Sequence, residues 1–380
     1  MKDKIIVSTD IGSDPDDALA IFAMINAGLD VRAIYTTNAK KLDYRSYIAK
    51  HLVNLLGKEI VVGQGKANAL ENFIDPFTHF EEYFIHESFE DNEASLGMKD
   101  IEFKKLEDVG IIRNGIEDLA ERLEEEHVIF SLAPLTNIAH IIQYYPSQAK
   151  NIKRCYILGG SLQGNEHNFR FDPLAADVVL KSAVPFTLIP KETCDRYRMP
   201  KKFLDNLSSD SGKYVKHMAL GYLASHLSLE ILIELVFGYV ELEFNNTSWP
   251  KSTDKDKKRI DEEFRSRFEL LLNMDDPVYG CFYPDNYFKQ FANLITHLQN
   301  PELNYPNGNI LAIALELSVQ NNMSVSDVYV PYCYMYPQRL ATIKGPLDIN
   351  DSLHLLNENQ EIVMNIDYKD FEIFLQENLQ

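Results

Sequence analysis

Ile5-Ile6-Val7-Ser8-Thr9-Asp10-Ile11-Gly12-Ser13-Asp14-Pro15-Asp16-Asp17-Ala18-Leu19-Ala20-Ile21-Phe22-Ala23-Met24-Ile25 is the stretch from which the rest of the chain is read. Residues 5–7 have the continuous apolar character of a buried strand, and residues 18–25 that of a helix ending near Gly28. The loop between them carries Asp10, Asp14, Asp16 and Asp17. Like charges so close repel strongly unless protons or a cation intervene, and a hard divalent cation is the simplest resolution. Loops at strand carboxyl ends are also where open α/β sheets bind ligands.

Working outward, strand-like and helix-like segments alternate. Strands are expected at 31–36, 60–62, 128–132, 155–158 and 186–189, and helices at 44–56, 116–125, 136–145 and 174–182. A further strand is expected at 362–366 and a terminal helix at 371–379. This order predicts an α/β fold with a mostly parallel, doubly wound sheet. Polar residues fall repeatedly just after strands: Thr37-Asn38, then residues 133–136, then residues 159–168. All should therefore converge on one sheet edge. Little periodicity appears between about 68 and 108. The chain is expected to form a single domain over 1–380, with a helical insertion at about 200–270 and a surface elaboration at about 300–345.

Composition narrows the partners. The chain has 380 residues and a formal net charge of −20, so phosphate-rich nucleic acid and anionic membrane surfaces are repelled. Cys155, Cys194, Cys281 and Cys333 show no CxxC pair, which disfavours a zinc site or disulfide scaffold and suits a reduced, cytoplasmic protein. The apolar run after Met1-Lys2-Asp3-Lys4 is too short for a signal-peptide core. His226, Glu230, Glu234 and Glu241 interrupt the apolar stretch 218–244, so a buried or interface helix is expected there and no membrane span.

The acidic loop is no EF-hand, because Pro15 and Ile21 stand where Gly and Glu are required. Calcium takes about six to eight oxygen ligands in irregular geometry. Asp10, Asp17 and a later Asp, Asp276, can supply carboxylate oxygens, with the Thr136 carbonyl and water completing the set. Histidine and cysteine are missing from the cluster, which disfavours zinc.

Several stretches, in order, resemble the nucleoside hydrolases, the inosine-uridine-preferring group. They are Asp10-x-Gly12…Asp16-Asp17-Ala18 after an apolar strand, Pro134-Leu135-Thr136-Asn137-Ile138-Ala139, Gly159-Gly160, Glu166-x-Asn168-Phe169-x-x-Asp172-Pro173-x-Ala175-Ala176, Asp276-Pro277, and the closing Ile366-Asp367-Tyr368-Lys369-Asp370-Phe371. The resemblance implies hydrolysis of the N-glycosidic bond of a ribonucleoside or related N-riboside, in purine or pyrimidine salvage, with Ca2+ as cofactor. It implies that Asp10, Asp17, Thr136 and Asp276 hold the ion and that Asp10 also takes the proton of the attacking water. Asp16, Asn38, Asn165, Glu166 and Asn168 would grip the ribose. A homodimer or homotetramer is the expected assembly.

The pattern departs from the family at three places. Two extra residues separate Gly12 from Asp16-Asp17, so Asp14 is an alternative to Asp16 in sugar binding. Asp275 occupies a position often held by His near the leaving base, and an Asp acts as an acid there only where burial or neighbouring acids raise its pKa. The segment between Gly160 and Asn168 is short, which bears on Asn165.

Plainer roles stand beside these. Asp10, Asp16 and Asp17 can cap the helix or sit in its first turn, Asn38 can end a strand, and Thr136 can cap the following helix. Glu166 and Asn168 can be loop residues, and Asp275-Asp276 a helix start. His51, His140, His217 and His226 fit packing or surface roles, and Tyr279, Phe282, Tyr283 and Tyr287 a core stripe. Two other functions compete: a catalytically altered member that only binds a sugar or nucleoside, and a haloacid dehalogenase-type phosphatase. The second would use Asp10 as nucleophile with Ser131, Lys191 and Asp275-Asp276, but Gly12 replaces its required second Asp.

Overall fold

A computed structural model describes residues 2–12, 15–38, 42–70, 105–164, 166–200, 202–225, 323–350, 353–355 and 357–379. The backbone falls into two compact units, Met1–Ile85 with Asp100–Ala219 and Asn322–Gln380, and His86–Lys99 with Leu220–Asn321. The first carries the main sheet.

Its strands are β1 (Lys4–Thr9), β2 (Asp30–Thr36), β3 (Val61–Gln64), β4 (Ile111–Ile112), β5 (His127–Ser131), β6 (Ile152–Leu158), β7 (Phe186–Ile189), β8 (Leu340–Lys344), β9 (Leu347–Asn350), β10 (Leu353–Leu355) and β11 (Gln360–Ile366). Nine of them form one sheet in the order β4-β3-β2-β1-β5-β6-β7-β11-β8, and β9 and β10 pair separately. Every pairing in the large sheet is parallel except that of β8 with β11. The fold is thus the doubly wound α/β architecture expected.

Alternation along the strands explains both covered faces. Ile6, Ile129, Cys155, Ile157 and Leu188 are buried with apolar residues of helices Gly115–Arg122, Thr136–Tyr144 and Pro173–Leu180. On the opposite face, Phe130 and Tyr156 meet Tyr334 edge-on, from helix Tyr329–Met335. Helix Asp16–Asn26 packs against that helix and against the terminal helix Tyr368–Asn378. Its ten residues Asp16–Ile25 are all buried, so it is a core helix with no solvent face of its own.

Strand order reverses between β1 and β5, since β2, β3 and β4 extend one way and β6 and β7 the other. Connections leaving β1 and β5 therefore diverge to opposite sides and open a crevice above their carboxyl ends. Register brings those ends level: Ser8 faces Tyr35 on β2 and Ser131 on β5, and Thr9 faces Thr36. The loops holding Asp10, Asn38 and Thr136 all begin at this edge.

The structure differs from expectation in the later part of the chain. Met323–Lys344 is no surface elaboration: Val328, Tyr329, Val330, Tyr332 and Cys333 are fully buried, and β8 joins the main sheet. Its Pro and Tyr content hid a core helix whose Tyr329 and Tyr332 rings meet Phe371 and Phe374 tilted or edge-on. Strand β8 carries no apolar signature because it lies at the sheet edge and is largely exposed. Most of the region expected as a helical insertion, about 200–270, lies outside the described residues. No helix among the described residues is long and apolar enough to cross a membrane.

One buried amide holds the three central strand ends together. Asn137 donates to the Ser8 hydroxyl at 3.1 Å and to the Thr36 carbonyl at 3.5 Å, and accepts the Lys66 N–H at 2.8 Å. The close fit requires Gly65: a Cβ there would come within 2.1 Å of Asn137 Oδ1. Gly65→Ala is expected to lower stability by about 1–3 kcal/mol by displacing this amide, measured as a shift in the urea midpoint at unchanged m-value.

Candidate active site

The acidic loop leaves β1 at Thr9, whose hydroxyl donates to Asp17 and accepts the Ile11 N–H at 3.2 Å. Asp16 and Asp17 then occupy the first helical turn, where the positive end of the helix dipole favours them. Neither is a cap, since the N-cap position belongs to Pro15 and makes no side-chain hydrogen bond. The first-turn part of the plain reading therefore holds for the pair and the capping part does not.

A third carboxylate joins them from a distant part of the chain. Oxygens of Asp16, Asp17 and Asp327 all lie within 4.8 Å of one another, and all three residues are buried. Asp327 sits in the turn Ser326–Val328 just before helix Tyr329–Met335, and that turn packs against helix Asp16–Asn26. The donor set is all oxygen and formally trianionic, which suits a hard divalent cation better than a soft metal. Among the described residues, this is the group of acidic, histidine or cysteine side chains arranged to hold an ion.

Asp10 lies at the same strand end and is 7 % exposed. Asn38 Nδ2 donates to its Oδ2 at 3.0 Å. Asn38 itself is fully buried at φ 60, the left-handed region that Asn tolerates better than most residues. Its backbone N–H donates to the Lys66 carbonyl at 3.2 Å, and the neighbouring Thr37 hydroxyl donates to the same oxygen at 2.6 Å. Asn38 Oδ1 is buried and has no hydrogen-bond partner among the described residues. A strand-ending role does not account for that acceptor, whereas an incoming hydroxyl does.

Thr136 is fully buried at the head of helix Thr136–Tyr144. Its hydroxyl is not used as a cap but donates to Asp172 Oδ2 at 2.7 Å. Asp172 also accepts the N–H groups of Leu70 at 3.0 Å and Ala175 at 2.9 Å, so one carboxylate ties three segments together. Thr136 is thereby fixed at the head of its helix.

The loop after β6 carries the remaining residues. Glu166 caps helix His167–Phe171 by accepting the N–H groups of Asn168 at 2.9 Å and Phe169 at 3.1 Å, and it also accepts that of Gly160 at 2.8 Å. Burial pushes its carboxyl above the ordinary range, against the lowering effect of those three bonds. Asn168 Nδ2 bridges the carbonyls of Leu132 and Leu158 at 3.1 and 3.2 Å, joining the β5 and β6 exits. Both residues are thus built into the loop framework. The Cys194 thiol is pushed well up, first by burial and then by neighbouring groups that include Cys333, Asp195, Asp16 and Glu166.

Of the residues singled out in the sequence, Asp10 and Asn38 meet directly, Asp16 and Asp17 converge, and Thr136, Glu166 and Asn168 line the same sheet edge. Asp14, Asn165, Asp275 and Asp276 lie outside the described residues. Asp327 was missed. Its one signal was an acid isolated in the apolar run Val325-Ser326-Asp327-Val328-Tyr329-Val330, a charge that a core retains only when something compensates it. The phosphatase alternative loses its supports: the Ser131 hydroxyl donates to the Ala133 carbonyl, and Lys191 forms an exposed pair with Asp195.

Comparison with known proteins shows the family and the fold. A sequence model of the family described as inosine-uridine preferring nucleoside hydrolase matches residues 5–244. A probable uridine nucleosidase 2 of Arabidopsis thaliana is 29 % identical over 234 residues, 57 % of this chain and 67 % of that one. The non-specific ribonucleoside hydrolase RihC of Salmonella newport is 28 % identical over 214 residues, 53 % of this chain and 65 % of that one. The chain thus spans about two-thirds of the length of these curated relatives. Among solved structures, the plant nucleoside hydrolase PpNRh1 superposes with a TM-score of 0.60 at 18 % identity, covering 100 % of this chain and 99 % of that one, a likeness of fold. The chain belongs to the inosine-uridine preferring nucleoside hydrolase family.

Proposed function

We propose that this protein hydrolyses the N-glycosidic bond of a ribonucleoside or related N-riboside in a calcium-dependent reaction, releasing base and ribose. The observation that carries the reading is the convergence of Asp16, Asp17 and Asp327 at the β1/β5 crevice, next to an Asp10 held by Asn38. Asp17, Asp327, Asp10 and the Thr136 carbonyl would hold the ion. On this reading Asp327 takes the role that sequence alone gave to Asp276. A bound divalent cation supplies charge that seats a sugar diol and polarises water.

The chain's own residues account for the rest. Asp10 accepts the proton of the attacking water as general base. The Asn38 amide fixes one oxygen of that carboxylate, so the other is presented in a set direction. Asn38 Oδ1 offers a buried acceptor to a sugar hydroxyl. Asp16, Glu166 and Asn168 complete the grip on the ribose, with Asp14 and Asn165 as further contacts. As the glycosidic bond breaks, positive charge builds on the anomeric carbon, and the carboxylates lining the crevice stabilise it. The acid at the leaving base, which the resemblance put at Asp275 beside Asp276, lies outside the described residues.

Two measurements test the reading. Asp10→Asn is expected to lower kcat for inosine and uridine by about 10²–10⁴-fold with an unchanged circular dichroism spectrum. Wild-type turnover in that variant would remove Asp10 as the base. In calorimetric titrations of chelator-stripped protein, calcium is expected to bind, and Asp327→Asn to weaken it by about tenfold or more. Equal affinity in the two proteins would remove Asp327 from the site.

A further inference from the structure

The loop Gly159–Gly164 that precedes Glu166 and Asn168 is held from two sides. Glu166 secures its start by accepting the Gly160 N–H. Its remainder is taken by Glu192, which stands on the short helix Lys191–Cys194 beyond β7. Glu192 accepts the Ser161 hydroxyl at 2.6 Å, the Leu162 N–H at 3.1 Å and the Gln163 N–H at 3.3 Å. The backbone reinforces the join, with Gly159 N–H donating to the Ile189 carbonyl and Lys191 N–H to the Gly160 carbonyl.

The platform under Glu192 is rigid. Thr193 and Cys194 are buried. The Thr193 hydroxyl donates to the Val363 carbonyl at 2.6 Å, and the Tyr368 hydroxyl donates to the Thr193 carbonyl at 2.9 Å. The Tyr329 hydroxyl donates to the Cys194 carbonyl at 3.2 Å, and Tyr329 lies two residues after Asp327. The loop's own contacts are fewer: the Gln163 N–H donates to the Ser161 hydroxyl at 3.0 Å, and Gly159 and Gly160 lie against Phe169. Gly159, Gly160 and Gly164 all have positive φ, and nothing lies within 4 Å of a Cβ built on Gly164. Loop order therefore depends on its carboxylate partners.

We propose that Glu192 is a positioning residue: by holding Ser161, Leu162 and Gln163 it sets the loop that presents Glu166 and Asn168 to the ribose. This rests on the hydrolase reading above. The described bonds of the Glu192 carboxylate go to the loop, so its effect passes through binding: a loop ordered in advance spares the substrate the entropy of ordering it.

The test compares wild type with Glu192→Ala and the near-isosteric Glu192→Gln, using inosine and uridine as substrates and hydrogen exchange on the free proteins. Glu192→Ala is expected to raise KM by about fivefold or more while kcat changes less, with Glu192→Gln recovering part of the loss through its remaining oxygen. The Leu162 and Gln163 amides should exchange about tenfold faster in Glu192→Ala. Should Glu192→Ala fail to fold, Glu192→Gln carries the same comparison. An active wild type with KM unchanged in both variants overturns the positioning role and leaves the hydrolase reading intact. A fall confined to kcat overturns it as well. A wild type that hydrolyses no riboside overturns the hydrolase reading and the kinetic role with it. Unchanged exchange at Leu162 and Gln163 overturns the clamp itself, whatever the activity.

Discussion

Three buried carboxylates within 4.8 Å of one another impose the constraint from which the site follows. Such a group is unfavourable unless positive charge, protons or dipoles offset it, and each neighbouring feature supplies part of that offset. Asp16 and Asp17 lie in the first turn of a helix whose free N–H groups point toward them. The Thr9 hydroxyl donates to Asp17, and the Asn38 amide donates to Asp10 at the same strand end. A hard cation completes the neutralisation on the proposed reading, and the same charge pattern suits a reaction whose transition state is itself cationic.

Sheet topology places this cluster. The reversal of strand order between β1 and β5 sends their following segments to opposite faces, so the two loops part at the carboxyl ends of these strands. Asp10, Asp16 and Asp17 enter from one side of that gap and Thr136 from the other. Asp327 arrives on a turn seated against helix Asp16–Asn26. Each loop around the gap is then locked by a polar side chain of another segment: Asn137 for the β1, β2 and β3 exits, Asp172 for Thr136 and Leu70, Glu166 and Glu192 for the loop after β6. Loops on an open sheet edge lack ladder hydrogen bonds, and these side chains substitute for them.

The buried aromatic layer beneath Asp327 has a related effect. Tyr329 and Tyr332 pack on Phe371 of the terminal helix, so the turn bearing Asp327 is anchored by rings that are almost fully buried. A charge taken into the interior on so firm a base cannot withdraw toward water, which keeps it available to the site at the cost of its own hydration.

The longer strands and helices from Lys4 to Ile189 were legible because each apolar run has one period and one set of breakers, whereas β4 and helices Pro146–Ala149 and His167–Phe171 are too short to show one. Asp10, Asp16, Asp17 and Asn38 were legible for the same reason: they follow their strands directly, so the parallel order alone brings them to one edge. Asp327 was not, because a contact between residues 17 and 327 leaves no trace in spacing; it exists only once helix packing closes the loop between them. The same holds for Asn137 against Gly65 and for Glu192 against Ser161, Leu162 and Gln163, where hydrogen-bond partners lie far apart in the chain. What the sequence determined by itself was the α/β order and the acidic edge, both products of local periodicity. What the tertiary structure alone decided was which distant side chains meet there, since that depends on packing geometry and not on neighbours in the chain.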